Sequence, residues 1–161
     1  MKTIKVNDSK VILLTVNELL KKKKGQQLVT ELYADNEDVQ RNWVWGTKNM
    51  ALLVDTLFRS EEGLVVPPLM GIEKDGVIQI ADGKQRVIAM ECFYDSRIRL
   101  LDGTTINGVD CSLKTYKKLP EKVKESFLNA PVLIYVTPYK SDTQTKEMFV
   151  RNNNGVNLTP I

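Results

Sequence analysis

The chain has 161 residues, 42% hydrophobic and 27% charged, which suits one globular domain with its own core and excludes a disordered polymer. Its net charge of +3, from 23 basic and 20 acidic residues, is too mild to argue for nucleic acid by itself, although a local basic face stays open. The sequence holds no histidine, so HNH nucleases, Cys–His and Ser–His nucleophile pairs and histidine-held metals are excluded within it; carboxylates, lysine, arginine, amides, hydroxyls or a hard cation such as magnesium must carry any chemistry.

In chain order, the opening segment MKTIKVNDSK lacks the apolar stretch of a signal peptide, and no apolar run nears the roughly 20 residues of a membrane span. Thr15 to Lys24 reads as a short helix. Thr15 is its N-cap with Glu18 three positions on, as in a capping box, and Gly25 stops it. Lys21 to Lys24 complement the dipole at its C-terminal end; a DNA-contact patch is the alternative reading of the same four residues. Gln27 to Tyr33 fits a strand or a continuing helix. Gln40-Arg41 then precede Trp43 and Trp45, which are the two tryptophans of the chain.

Thr47 is placed as the N-cap of a helix reaching about Arg59, with Met50, Val54 and Leu57 on one face and an Asp55–Arg59 pair on another. Gly63 ends it, and Leu69 to Ile72 reads as extended. Asp75-Gly76 is a hairpin turn into Val77–Ile80. A helix follows to about Tyr94, with Cys92 in its core face. Cys92 and Cys111 lack any CxxC spacing, so neither a zinc site nor a disulfide framework is expected, and a reducing, cytoplasmic setting is.

Asp102-Gly103 and Asn107-Gly108 mark turns of a small central hairpin. Leu119-Pro120-Glu121 starts a helix that turns Val123 and Phe127 inward, and Val132 to Thr137 is the clearest strand. Ser141 or Asp142 caps a last helix through Phe149 and Arg151, closed by Asn152 to Gly155. Helices alternate with strands while hairpins intervene, so the class is α+β with a small mixed sheet flanked by helices, as a single domain over residues 1–161.

The chemistry concentrates in Ile80-Ala81-Asp82-Gly83-Lys84-Gln85-Arg86, where a strand passes into a helix. A helix N-terminus presents unpaired N–H groups to an anion, and glycine lets a ligand approach the backbone. Lys84 and Arg86 supply charge-assisted bonds to phosphate oxygens, Gln85 a donor and an acceptor for a water or ribose hydroxyl, and Asp82 a carboxylate to hold magnesium or orient a water. A solvated Asp-Gly turn is the plain alternative. No GxxxxGK[ST] occurs, so this is not a Walker loop. Two more polar clusters stand out: Gln40-Arg41, and Arg151 with Asn153, where the plain reading is an Arg151–Glu147 helical pair and asparagine capping.

Gln40-Arg41…Trp45, Asp82-Gly83-Lys84-Gln85-Arg86 and Phe149-Val150-Arg151…Asn153…Gly155…Leu158 together resemble the N-terminal domain of GmrSD-type restriction proteins, with their QR-x-x-W, DGQQR and F-x-R-x-N-x-G-x-x-L segments, in order and over almost the whole chain. The resemblance implies a fold related to ParB and sulfiredoxin-like domains. It also implies nucleotide binding and hydrolysis with a nucleoside triphosphate and Mg2+, coupled in defence proteins to endonuclease cutting of DNA. Carried onto this sequence, Asp82, Gln85 and Arg86 take the catalytic positions, and Gly83, Lys84, Gln40, Arg41, Arg151 and Asn153 the phosphate- and nucleotide-binding ones. Lys84 departs from the family's glutamine; it keeps reach and adds charge but puts a water-positioning role there in doubt. The chain is then either the N-terminal part of a longer protein or a short one, and a non-catalytic, phage-borne ParB-like module that grips a nucleotide or DNA is the alternative.

Overall fold

The computed structural model describes residues 1–30 and 45–153, with the side chains of residues 149, 152 and 153 left aside. Its elements are β1 (Lys2–Val6), β2 (Ser9–Thr15), α1 (Val16–Lys24), β3 (Leu28–Val29), α2 (Thr47–Phe58), β4 (Leu69–Lys74), β5 (Val77–Asp82), α3 (Lys84–Tyr94), β6 (Thr105–Ile106), β7 (Val109–Asp110), α4 (Glu121–Leu128), β8 (Pro131–Pro138) and α5 (Asp142–Asn153). The fold is mixed α+β, a sheet flanked by helices.

Six strands form one sheet in the order β1-β2-β8-β4-β5-β3, and β6 and β7 form a separate hairpin. Neighbours are antiparallel except β4 with β8 and β3 with β5, which run parallel. One face carries Ile12, Leu14, Leu69, Ile78, Ile80, Val132, Ile134 and Val136 into the main core, shared with residues of α1 to α4. Phe93 and Phe127 meet edge to face at its centre, with ring centroids 5.0 Å apart. The opposite face is covered in part by α5, where Met148 and Tyr139 pack on Ile72 and Ala81. No helix among the described residues is long and apolar enough to cross a membrane.

Local chemistry accounts for most boundaries. The Thr15–Glu18 capping box forms, with the Glu18 N–H donating to Thr15 Oγ1 at 3.1 Å and the Thr15 N–H to Glu18 Oε1 at 3.2 Å. Asp75 and Gly76 take φ of 54° and 79°, as a two-residue hairpin turn requires. Asn107 and Gly108 do the same between β6 and β7. Ser141 Oγ accepts the Gln144 N–H at 3.1 Å and so caps α5.

Two expectations are corrected or completed. Thr47 is the first helical residue of α2 and not its cap; the cap is Gly46, in an extended conformation and without a side-chain bond. Of the Gln27 to Tyr33 stretch, residues 27–30 are described, and within them Leu28 and Val29 form a strand, positioned by the Ile78 N–H donating to the Gln27 carbonyl at 2.9 Å. β1 and β2 pair as an antiparallel hairpin for which the sequence carries no Asn-Gly or Asp-Gly signal. Its turn rests on Asn7 at φ 55°, a left-handed conformation that asparagine tolerates.

Candidate functional site

The strand-to-helix joint lies at the end of β5, beside β4. Pairing of these two strands slips between Met70 and Gly71: Met70 faces Asp82 and Gly71 faces Ile80, so Ala81 is an extra residue. Such a bulge bends the strand and re-aims the side chain that follows it. Asp82 leaves the sheet with its side chain 39% exposed. Gly83 then takes φ 100°, ψ 13°, and α3 begins at Lys84. A β-carbon on Gly83 would press into Leu69 Cδ2 and lie 2.9 Å from Arg86 Nη2, so both conformation and space require glycine here.

Gly83 brings no side chain to cap the first turn of α3. The residues of that turn reach outward and backward. Arg86 folds back over Gly83, donating from Nη2 to the Pro68 carbonyl at 3.2 Å and lying 3.5 Å from Asp82 Oδ2. Its side chain is only 15% exposed, and its Nε is buried with no hydrogen-bond partner among the described residues. Leaving such a donor unpaired costs about 1–3 kcal/mol. Gln85 uses its Oε1 to accept the Trp45 N–H at 3.1 Å, which pins the start of α2 against the start of α3; its amide nitrogen has no hydrogen-bond partner among the described residues. Lys84 is half-buried at the first helical position.

The structure therefore brings Asp82, Gly83, Lys84, Gln85 and Arg86 together with Trp45 and Pro68. Trp45 acts as an anchor: it packs partly buried against the main core. Arg151 is 74% exposed and pairs with Glu147 at 2.9 Å, the helical i, i+4 arrangement. Gln40 and Arg41 lie outside the described residues, and so does the side chain of Asn153. The contributions that sequence reasoning missed are the Pro68 carbonyl and the Trp45 N–H. Both are backbone groups brought in by packing, and side-chain motifs do not signal them.

Among the described residues no three cysteine or carboxylate groups gather as a metal cage. Asp82 alone fits a magnesium ion in one way: one or two carboxylates plus substrate phosphates is the usual magnesium set. Two clefts lined by described residues lie elsewhere. One of about 160 Å³ includes Ile72, Thr137 and Met148 beneath α5, and one of about 380 Å³ lies between α2 and α4.

Residues 16–161 match the family model described as GmrSD restriction endonuclease, N-terminal domain. The chain belongs to the GmrSD N-terminal domain family. No curated protein and no solved structure matches it. The matched span of this GmrSD N-terminal domain includes the joint at Asp82–Arg86, the Gln40–Trp45 segment and α5, and it leaves out β1 and β2. The family places the chain among components of restriction systems.

Proposed function

We propose that this GmrSD N-terminal domain binds a nucleoside triphosphate at the Asp82–Arg86 joint and hydrolyses it within a restriction system that acts on DNA. The observation that carries the reading is Arg86, a nearly buried guanidinium at a glycine-opened helix N-terminus, with a buried Nε that has no acceptor among the described residues. Family membership supports it.

In this reading the first-turn N–H groups of α3 and the guanidinium of Arg86 hold phosphate oxygens, and Lys84 adds charge. Asp82 holds magnesium when that ion is bound, which neutralises developing charge on the phosphates. Gln85, oriented by the Trp45 N–H, offers its amide nitrogen to a water or ribose hydroxyl. Gln40 and Arg41, with Arg151 and Asn153, complete the nucleotide site, Arg151 leaving Glu147 to do so. Water oriented by Asp82 attacks the terminal phosphorus and gives its proton to the released phosphate, while the bridging oxygen leaves with the diphosphate.

Calorimetric titration with the four nucleoside triphosphates and magnesium tests binding, and phosphate release tests turnover. Arg86→Ala and Arg86→Lys should both weaken binding, the lysine less, because it keeps the charge and loses the fork. Arg86→Ala binding as tightly as the parent, with a matching thermal melt, would remove that arginine from the site.

A second reading rests on the Asp82–Arg86 pair itself. The carboxylate of this joint is already turned towards its own arginine, which suits a module that grips a nucleotide or a DNA backbone without turnover. Clear binding with no phosphate release selects it.

A further inference from the structure

The distal end of α3 is framed by cations that the phosphate corner does not use. The last turn of α1 is four consecutive lysines, Lys21–Lys24. Lys23 is spent on Glu91 of α3, at 2.8 Å. Tyr94 lies three residues on from Glu91, hence on the same helix face, and it is 45% exposed. Its ring centroid sits 5.1 Å from that of Tyr116, which opens a short 3-10 turn continuing into exposed Lys117 and Lys118. That turn is tied to the end of α3 by the Lys117 N–H donating to Ser96 Oγ at 2.9 Å.

Two lysine groups therefore flank a pair of tyrosines. The nearby carboxylates are engaged: Glu91 with Lys23, Asp95 with Arg97, and Glu121 with Lys124, whose ammonium lies over the Tyr116 ring. Lys21, Lys22, Lys24, Lys117 and Lys118 have no ion pair among the described residues. Complementing the α1 dipole explains lysines on α1. It explains neither the exposed ring of Tyr94 nor the cations of a three-residue turn.

We propose that this end of α3 is a binding surface for single-stranded nucleic acid, with a base stacked on Tyr94 and the flanking phosphates on the Lys21–Lys24 and Lys117–Lys118 groups. An exposed aromatic face between cations is what a splayed-out base requires, and a duplex hides its base faces. An anionic bilayer would need an apolar helix face to bury, and the apolar face of α3 is already in the core. Tyr94 lies eight residues beyond Arg86, about 12 Å along the helix, so the surface is separate from the nucleotide corner and goes beyond the function proposed above.

The test is fluorescence anisotropy of a labelled oligothymidylate of about 15 nucleotides against the whole chain, with a duplex of equal length, between about 50 and 200 mM salt. The parent should bind the single strand more tightly than the duplex. Tyr94→Ala should weaken binding about 5- to 150-fold, and Tyr94→Phe should restore it. The double variant Lys117→Gln, Lys118→Gln should lower the slope of log affinity on log salt by about 1.4. Saturating nucleoside triphosphate with magnesium should leave oligonucleotide binding unchanged, so failure of the nucleotide site and failure of this surface are read separately. The proposal is overturned if the parent does not bind at low salt, if the duplex binds more tightly, or if Tyr94→Ala binds as the parent does. It is also overturned if anionic phospholipid vesicles bind and the oligonucleotide does not displace them. Should Tyr94→Ala fail to fold, the lysine variant decides by its salt slope.

Discussion

Replacing Gly83 with alanine separates backbone strain from lack of space at the centre of the site. Gly83 sits at φ 100°, where an L side chain is strained by about 1–2 kcal/mol. Its β-carbon would also press into Leu69, a fully buried core residue, and crowd Arg86 Nη2 at 2.9 Å. Overpacking of this kind costs about 1–3 kcal/mol, so Gly83→Ala should cost about 2–5 kcal/mol in all. For 161 residues at about 2.1 cal/mol/K each the unfolding entropy is about 0.34 kcal/mol/K, so the melting temperature should fall by about 6–15 °C. Gly76→Ala is the control. Its φ of 79° carries comparable strain, and nothing lies within 4 Å of its β-carbon, so only about 1–2 kcal/mol should be lost. Urea and thermal unfolding followed by circular dichroism measure both. Equal losses for the two variants would refute the steric argument and with it the tight Gly83–Leu69–Arg86 packing.

Gln85→Leu should leave the Trp45 N–H without its acceptor and cost about 1 kcal/mol in urea unfolding, with a change in tryptophan emission measured in a Trp43→Phe background. Phe127→Ala should cost about 3–5 kcal/mol, since Phe127 is fully buried and meets Phe58, Phe93 and Tyr116; a loss under 1 kcal/mol would contradict that cluster. The Thr15 N–H, followed by the chain's terminal ammonium, holds the Glu18 carboxyl below its ordinary 4.5. A lowered folded pKa means that the stability Glu18 contributes is complete above about pH 4.5 and is lost as pH falls through the lower folded value. A carboxyl NMR titration of Glu18 should therefore have its midpoint under 4.5, and Glu18→Gln should flatten that part of the acid-unfolding curve.

Much of this architecture was legible because it is decided over four or five residues. The Thr15–Glu18 box, the Asp75-Gly76 and Asn107-Gly108 turns and the β-branched run ending at Thr137 each satisfy a short-range rule, and each appears where that rule places it. The misses are of two kinds. Thr47 against Gly46 is a one-residue shift at a helix start, where a glycine in extended conformation serves as well as a hydroxyl. The β1–β2 hairpin is not legible in the sequence because its turn uses Asn7 without a following glycine, and β1 is exposed along its whole length, so it shows no buried alternation. In the site, the strand–glycine–helix joint was readable from Asp82 to Arg86. Which partners those side chains would find was not.

Taken alone, the order of residues determined the class of fold, the helix and turn positions set by caps and glycines, and the crowding of Asp82, Lys84, Gln85 and Arg86 at one joint. Only the tertiary structure decided that β8 runs between β2 and β4, that α5 crosses the face opposite the main core, and that Arg86 turns back onto Pro68 while Gln85 takes up Trp45. The reason is range. Backbone conformation and capping depend on neighbours within a turn, whereas those contacts join residues 18 and 40 positions apart, and they form where burial of the shared core leaves a donor facing an acceptor.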